Sequence, residues 1–147
     1  MIADRAIVDA SVVIRWFVSQ PGHEAAVNWL RRLAMDGDLL WAPDLLRFEV
    51  FGAFARLQPR HDKGWAVGAF GRFERLGLVM RPTSNSLFER ALVLSRELGI
   101  AGYDAVYLAH AEDTDREWLT ADEKAARQLA GHPRVRLLTA ATSSQPQ

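Results

Sequence analysis

Short apolar segments alternate with amphipathic helical patterns along this chain, and that alternation constrains the fold more than any other feature. The strand-like segments are residues 6–8, 39–42, 78–80, 118–120 and 135–138. The helical patterns are residues 11–17, 24–35, 43–57, 62–76, 84–98, 103–111 and 122–130. Strands separated by helices favour a parallel sheet that is covered on both faces. We therefore predict a three-layer α/β/α fold with a central parallel sheet of four to five strands.

Local signals refine several of these boundaries. Pro43 suits the first turn of the helix at 43–57, and that helix is apolar almost all round, so we expect it to be buried. The segment Ser84–Asn85–Ser86 offers an N-cap for the helix that Gly99 ends, and the polar residues 112–116 are predicted to form a loop. The length suits one domain over residues 1–140, and we expect a disordered tail at 141–147.

The composition excludes several functional classes. The chain has no cysteine, which excludes disulfide frameworks, thiolate metal sites and cysteine nucleophiles. Eighteen basic and eighteen acidic side chains cancel, so no bulk charge marks the chain as a binder of polyanions. Because Asp4 and Arg5 interrupt the N-terminal region and no apolar run is long enough to span a membrane, we expect a soluble cytoplasmic protein.

Four carboxylates lie at strand ends, at a helix start or inside an apolar helix, where acids are often functional. Asp9 directly follows the first predicted strand, and Asp122 lies two residues after the fourth. Asp104 lies at the start of a predicted helix, and Glu49 lies in the middle of an apolar one. In open parallel sheets, ligands bind where strands end and helices begin. These four acids are therefore the candidate functional residues.

Each of these acids also has a structural interpretation. Asp9 can cap the helix that follows it, and Asp104 can be an acid in a first helical turn. Asp122 can occupy the first turn of a helix that starts with a capping box formed by Thr120 and Glu123. Glu49 is harder to explain in this way, because a buried carboxylate is costly unless it is paired, for instance with a distant arginine, or bound to a metal.

Considered together, the four acids indicate a cation site. Two carboxylates about 4 Å apart repel by roughly 4 kcal/mol at an effective dielectric constant of about 20, so protons or cations must neutralise such a group. Oxygen ligands select Mg²⁺ or Mn²⁺, which support phosphoryl chemistry. Without these acids, 18 basic and 14 acidic side chains remain, which permits attraction of nucleic acid. The histidines are not spaced as ligand pairs: His23, His61, His110 and His132.

Four stretches resemble the PIN-domain family, specifically the VapC-like toxin ribonucleases of type II toxin–antitoxin pairs. They are IVDAS at 7–11, APDLLRFEV at 42–50, YDAVYLA at 103–109 and LTADEK at 119–124, in the order and at the spacing of the family. The resemblance covers residues 5–139. It implies a PIN-like sheet of four or five parallel strands with helices on both sides.

The resemblance also implies an activity and its residues. It implies an endoribonuclease that depends on Mg²⁺ or Mn²⁺, in which water attacks the phosphodiester and leaves a 3′-hydroxyl and a 5′-phosphate. Asp9, Glu49, Asp104 and Asp122 match the family's catalytic, metal-binding acids, and Asp9 and Asp104 match the positions most directly associated with the metal. Ser11 matches a hydroxyl that supports the first aspartate. The implied partners are an RNA substrate, a VapB-like antitoxin and a second copy of the chain.

Two matters stay open at the level of the sequence. The acidic segment at 112–117 replaces the glycine-containing loop usual in the family, so Asp113 or Asp115 is a possible additional ligand, with a solvated loop as the alternative. We also expect Thr120 to lie beside the acids. A non-catalytic PIN-like module that binds a protein or RNA is the alternative function, with aromatic residues as a possible docking surface: Trp16, Phe17, Trp65 and Phe70.

Overall fold

Five parallel strands form the centre of the computed structural model, which describes residues 4–139. The strands are β1 (Ala6–Val8), β2 (Leu40–Pro43), β3 (Val79–Arg81), β4 (Glu117–Thr120) and β5 (Val135–Leu137). Their order across the sheet is β3-β2-β1-β4-β5. In the central strand β1, Ala6 pairs with Leu40 on one side and with Glu117 on the other. The prediction of a three-layer fold with a parallel central sheet is confirmed.

Seven α-helices lie between and around these strands in the described part of the chain. They are α1 (Ala10–Phe17), α2 (His23–Met35), α3 (Leu45–Leu57), α4 (Trp65–Glu74), α5 (Asn85–Leu98), α6 (Gly102–Thr114) and α7 (Glu123–Gln128). A 3-10 helix, Gln58–Arg60, follows α3 directly. Ser84 caps α5 by accepting a hydrogen bond from the backbone N–H of Leu87, and Gly99 ends it in the left-handed conformation, as the sequence predicts.

Alternating side chains of the strands pack into two separate apolar layers, because successive residues of a strand point to opposite faces of a sheet. Ala6 and Val8 contribute to the layer formed with α1, α2, α3 and α4. Ile7 and Trp118 contribute to the layer formed with α5, α6 and α7. The sheet is therefore covered on both faces, and its polar groups are left at the ends of the strands.

The direction in which the strands are added reverses between β1 and β4. The chain adds β2 and then β3 on one side of β1, returns through α5 and α6, and adds β4 and then β5 on the other side. This reversal is a topological switch point, and the crevice beyond the carboxyl ends of strands at such a point is the usual ligand site of open α/β sheets. Asp9 and Asp122 follow the two strands that flank it.

The structure corrects three sequence-based boundaries. Pro43 is the last residue of β2, where it pairs with Arg81, and α3 begins only at Leu45. The predicted loop at 112–116 is partly helical, because α6 continues to Thr114. Its C-cap is Asp115, whose φ of 54° is left-handed. The helix predicted at 62–76 is shorter, Trp65–Glu74.

Burial of the aromatic residues also differs from expectation. Helix α3 is only half buried: Val50 and Phe54 are in the core, whereas Phe48 and Phe51 are 71% and 60% exposed. Trp16, considered above for a docking surface, is a core residue whose indole N–H donates to the backbone carbonyl of Ala26. Phe17, Trp65 and Phe70 are partly buried against the same core.

No helix within residues 4–139 is long and apolar enough to cross a membrane. The predicted tail at 141–147 lies outside the described residues.

Candidate active site

Asp9 lies at the carboxyl end of β1 and is fixed by hydrogen bonds on both of its carboxylate oxygens. As the N-cap of α1, its Oδ1 accepts from the backbone N–H of Ser11, at 3.0 Å, and from the Ser11 hydroxyl. Its Oδ2 accepts from the indole N–H of Trp118 at 3.0 Å. Burial raises the pKa of Asp9, and the hydrogen bonds from Ser11 and Trp118 oppose that rise. The capping interpretation is therefore correct for Asp9, and the carboxylate is also held rigidly.

Ser11 and Thr120 connect the ends of β1 and β4. The Ser11 hydroxyl oxygen accepts from the backbone N–H of Ala121 at 2.8 Å and lies 3.3 Å from the Thr120 hydroxyl oxygen. Thr120 in turn accepts from the backbone N–H of Asp122 at 3.1 Å. Both residues lie beside the candidate acids, and they hold the two strand ends in a fixed relation across the switch point.

Asp122 is the N-cap of α7. Its Oδ1 accepts from the backbone N–H groups of Lys124 and Ala125, at 3.0 and 3.2 Å. The capping box with Thr120 as the cap is therefore wrong, because Thr120 is the last residue of β4 and its hydroxyl bonds Asp122 instead. The second carboxylate oxygen of Asp122 accepts no hydrogen bond from the described residues.

Glu49 projects from α3 toward α6, where it meets a phenol rather than an arginine. The buried hydroxyl of Tyr107 donates to Glu49 Oε1 at 2.6 Å. Burial raises the pKa of Glu49, the Tyr107 hydrogen bond opposes the rise, and the charges of Asp9 and Asp104 add to it. Glu49 thus has a neutral partner within residues 4–139, and its negative charge is not cancelled by a buried guanidinium.

Asp104 lies in the first turn of α6 and accepts no hydrogen bond from the described residues. Burial, together with the negative charges of Asp9 and Asp122, raises the pKa of Asp104 to about 6. Lys124 works in the opposite direction. The electrostatic coupling of Asp104 to Asp9, Asp122 and Glu49 means that the four acids share one region of negative potential.

The sequence interpretation missed two aromatic residues that shape this region. Tyr107 stacks on Trp118 with ring centroids 6.0 Å apart and planes inclined by 13°. Tyr107 bonds Glu49 and Trp118 bonds Asp9, so one aromatic pair orients two of the four acids. The position of Tyr107, one helical turn after Asp104, was the available signal, because residues three apart share a helix face.

Arg15, which the sequence interpretation did not single out, brings a guanidinium near the acids. It lies within electrostatic range of Asp9, Asp122 and Glu123, but its hydrogen bonds go to the backbone carbonyls of Pro21 and Ser11, both at 2.7 Å. Gly22 makes room for it, since a Cβ there would lie 3.2 Å from Arg15 Nε. Arg15 therefore forms no ion pair with a carboxylate of the described residues, although it lies beside the acidic region.

The remaining candidates lie elsewhere. Asp115 ends α6 at the opposite edge of the sheet, where it pairs with Arg134 at 2.8 Å. Asp113 is exposed in the last turn of α6, about 13 Å along the helix from Asp104 at 1.5 Å per residue. His110 is buried and bonded to Thr83, and His23 contacts the backbone carbonyl of Arg15. None of these side chains adds to the group of four acids.

Within residues 4–139, no group of three or more His, Asp or Glu side chains is already arranged so that it could hold a metal ion. The four side chains nevertheless suit a hard cation, since carboxylate oxygens are the preferred ligands of Mg²⁺ and Mn²⁺. Free oxygens on Glu49, Asp104 and Asp122 face no hydrogen-bond donor among the described residues. These side chains would therefore have to move toward a shared ion to complete a coordination shell.

The fold and the acids define the class of this protein: a parallel α/β domain with an acidic site at its switch point. The family model for the PIN domain matches residues 6–131, and the chain therefore belongs to the PIN domain family, whose members are generally nucleases. No curated protein sequence matches the chain.

Two solved structures share the fold. A toxin-antitoxin complex from Klebsiella pneumoniae matches with a TM-score of 0.66 and 19% identity, covering 89% of this chain and 95% of that chain. PAE2754 from Pyrobaculum aerophilum matches with a TM-score of 0.65 and 18% identity, covering 90% of this chain and 83% of that chain. At these identities the matches establish the architecture.

Proposed function

We propose that this chain is an endoribonuclease that depends on Mg²⁺ or Mn²⁺ and serves as the toxin of a type II toxin–antitoxin pair. The observation that carries the proposal is the placement of four acids at the switch point of the sheet, around the Tyr107–Trp118 pair: Asp9, Glu49, Asp104 and Asp122. Membership of the PIN domain family supports a nuclease, and the likeness to a toxin-antitoxin complex supports the biological role.

The roles of the acids follow from how each is held. Asp9 is immobilised by Ser11 and Trp118, so it provides a fixed negative anchor. Asp104 has no hydrogen-bond partner among the described residues, so both of its oxygens are available. Glu49 and Asp122 each have one committed oxygen and one available oxygen. We therefore assign Asp9 and Asp104 as the principal metal-binding residues, with Glu49 and Asp122 completing the set.

When bound, a divalent cation lowers the pKa of water and stabilises the charge that develops on a scissile phosphate. The chain itself supplies the orientation. Arg15 has no carboxylate partner within residues 4–139, and it lies beside Asp9 and Asp122. It is thus placed to attract a phosphate toward a region that would otherwise repel it. Ser11 and Thr120 keep the strand ends, and with them Asp9 and Asp122, in register.

The proposed partners are a VapB-like antitoxin and a second copy of the chain, in the cytoplasm. Two exposed apolar surfaces support protein partners, because clustered exposed apolar side chains mark interaction sites. One is formed by Phe48, Phe51 and Val67 on α3 and α4, and the other by Phe88 and Leu92 on α5.

The test of the proposed function is a cleavage assay on the purified chain. Total RNA incubated with the wild type should be cleaved with millimolar Mn²⁺ or Mg²⁺ and left intact with EDTA. The new ends should carry a 5′-phosphate, which ligation-based mapping of ends detects. D104N should lose cleavage by at least a hundredfold, because the carboxylate with the most available oxygens has been removed.

E89Q is the matched control, since Glu89 is an exposed acid on α5 away from the switch point. It should cleave RNA at the wild-type rate. Cleavage by D104N at the wild-type rate would remove Asp104 from the mechanism. A wild type that binds RNA without cleaving it at any metal concentration would instead favour a non-catalytic PIN-like module.

A further inference from the structure

Two neighbouring cavities form a groove that begins beside the acidic region and runs along β5. Its first part is a cavity of about 400 Å³ whose lining includes Arg15, Ala121 and Glu123, the last two on either side of Asp122 in the chain. Its second part is a cavity of about 480 Å³ between α2 and β5. The two cavities share Leu137, Leu138 and Thr139 as a common wall. An extended polymeric ligand can therefore pass from one cavity into the other.

Three arginines line the second cavity, and their charge exceeds that of the acids they contact. Arg32 and Arg136 share the carboxylate of Asp4, at 3.1 and 3.4 Å, and Arg136 also lies 3.6 Å from Glu117. Arg31 forms no ion pair with a described residue and donates only to the side-chain carbonyl of Asn28, at 3.1 Å. Three guanidiniums thus face two carboxylates, and each guanidinium carries five N–H donors.

Trp29 restrains two of these guanidiniums, but its own ring is too buried to contact a ligand. The guanidinium carbon of Arg32 lies 4.5 Å from the ring centroid of Trp29, and that of Arg136 lies 5.3 Å from it. These are cation–π distances, which restrain the two long side chains beside the cavity. Trp29 itself is only 7% exposed, so a base cannot stack on it. The recognition that this cavity offers is therefore electrostatic.

We propose that the cavity formed by Trp29, Arg31, Arg32 and Arg136 binds the phosphate backbone of the nucleic acid strand whose scissile phosphate lies at the four acids. This inference rests on the proposed function and adds the path of the substrate. Guanidiniums recognise phosphates through paired N–H donors, and such contacts carry no base specificity. The groove therefore increases affinity and holds one flank of the strand, without selecting the cleaved sequence.

The test measures binding separately from cleavage. A fluorescently labelled 12-nucleotide oligouridine is titrated with the full chain in EDTA, and anisotropy is recorded over a series of salt concentrations. The triple variant R31Q/R32Q/R136Q should bind at least tenfold more weakly. The slope of log affinity against log salt concentration should fall by about 2, since each single-strand phosphate contact contributes about 0.7.

The control is R60Q/R75Q/R96Q, which removes the same charge from exposed arginines outside the groove. It should retain most of the affinity and cleave RNA with the wild-type pattern. The groove variant should cleave at the same positions as the wild type but with a raised KM and an unchanged kcat. Equal binding by the groove variant and the wild type would overturn the proposal.

A second variant tests the same cavity by increasing affinity. D4N removes the carboxylate that Arg32 and Arg136 share, so it should bind the oligouridine several-fold more tightly than D62N, a matched exposed acid outside the groove. Unchanged binding by D4N contradicts the proposal even if the triple variant fails to fold.

The outcomes separate this inference from the proposed function. Metal-dependent cleavage with groove variants that bind like the wild type overturns the groove alone. A wild type that neither binds nor cleaves RNA overturns both. A groove variant that keeps its affinity for oligouridine but loses affinity for labelled polyglutamate would assign the cavity to an acidic protein segment and overturn the nucleic acid proposal.

Discussion

At the scale of single residues, two aromatic side chains determine how the acidic region is organised. Tyr107 and Trp118 stack on each other, and each donates one hydrogen bond to a candidate acid. A phenol O–H or an indole N–H donates to a carboxylate without neutralising its charge, whereas an arginine or lysine partner would neutralise it. The negative potential of the site is therefore preserved while its geometry is fixed.

Replacing Tyr107 by phenylalanine tests this role. Y107F should lower the free energy of unfolding by about 1–2 kcal/mol, because the partly buried carboxylate of Glu49 loses its donor. It should also lower metal-dependent cleavage by about tenfold, since Glu49 is no longer oriented. Urea denaturation and initial rates measure the two effects. Y103F, at an exposed tyrosine on the same helix, should stay within about 0.5 kcal/mol of the wild type.

His110 makes the stability of the fold sensitive to pH. It is fully buried on α6, its Nε2 lies 2.9 Å from the Thr83 hydroxyl, and its Nδ1 has no hydrogen-bond partner among residues 4–139. Burial lowers the pKa of His110 below the ordinary value of 6.5. As the pH falls through 6.5, the unfolded chain takes up a proton before the folded chain does, so the stability present above that pH is progressively lost.

Protonation of Asp104, whose pKa is raised to about 6, stabilises the fold in the same pH range and acts against this loss. The effect of His110 is therefore measured as a difference: from pH 7.5 to pH 5.5, the free energy of unfolding should fall further, or rise less, in the wild type than in H110Q. H61Q keeps the buried His110 and should keep the wild-type pH dependence. Chemical denaturation at a series of pH values decides the matter. An identical pH dependence in H110Q and the wild type would show that His110 does not cause it.

At the scale of elements, helix N-termini bring the acids to one edge of the sheet. Asp9 and Asp122 are the N-caps of α1 and α7, and Asp104 lies in the first turn of α6. The N-terminus of a helix carries a partial positive charge that favours nearby carboxylates. The structural and functional interpretations of these acids are thus compatible, because a carboxylate has about four lone pairs and its capping hydrogen bonds do not use all of them.

Asp122 allows the two roles to be separated. D122N should unfold at or above the wild-type denaturant concentration, because asparagine is as good an N-cap as aspartate and one of the four repelling charges is removed. D122A should lose about 1 kcal/mol of stability, because two backbone N–H groups of α7 lose their acceptor. Both variants should be strongly impaired in metal-dependent cleavage. Full activity in D122N would mean that Asp122 serves only as a cap.

The elements themselves were largely predictable from the sequence, and their ends were less so. The alternation of apolar segments and helical periodicity identifies all five strands. Pro43 was placed in a helix because proline suits a first helical turn, yet its place in β2 depends on pairing with Arg81, 38 residues further along. The apolar composition of α3 predicts burial on every side, but only one face of the helix has a neighbouring layer to contact.

The acids of the candidate site could be predicted because each lies next to a recognisable strand end or helix start. The hydrogen-bond partners of these acids could not be predicted, although Tyr107 shares a helix face with Asp104. Trp118 reaches Asp9 across 109 residues, and Tyr107 reaches Glu49 across 58. Such contacts depend on strand order and helix packing, which local patterns do not encode. Tyr107 and Trp118 therefore resembled ordinary core residues.

At the scale of the whole molecule, the acidic region should weaken the fold until a cation binds. In EDTA, D104N should melt at a higher temperature than the wild type, because one of four mutually repelling charges has been removed. Millimolar Mn²⁺ should raise the melting temperature of the wild type by several degrees through binding to the folded state alone. The same addition should have little effect on D9N. Differential scanning calorimetry measures all three, and an unchanged wild-type melting curve would contradict the cation site.

The two outermost strands, β3 and β5, are only three residues long, and each includes an arginine, Arg81 and Arg136. Short, charged borders of this kind offer too few main-chain groups for another polypeptide to join the sheet. We therefore expect assembly with other proteins to proceed through helical surfaces and not by addition of a strand to this sheet.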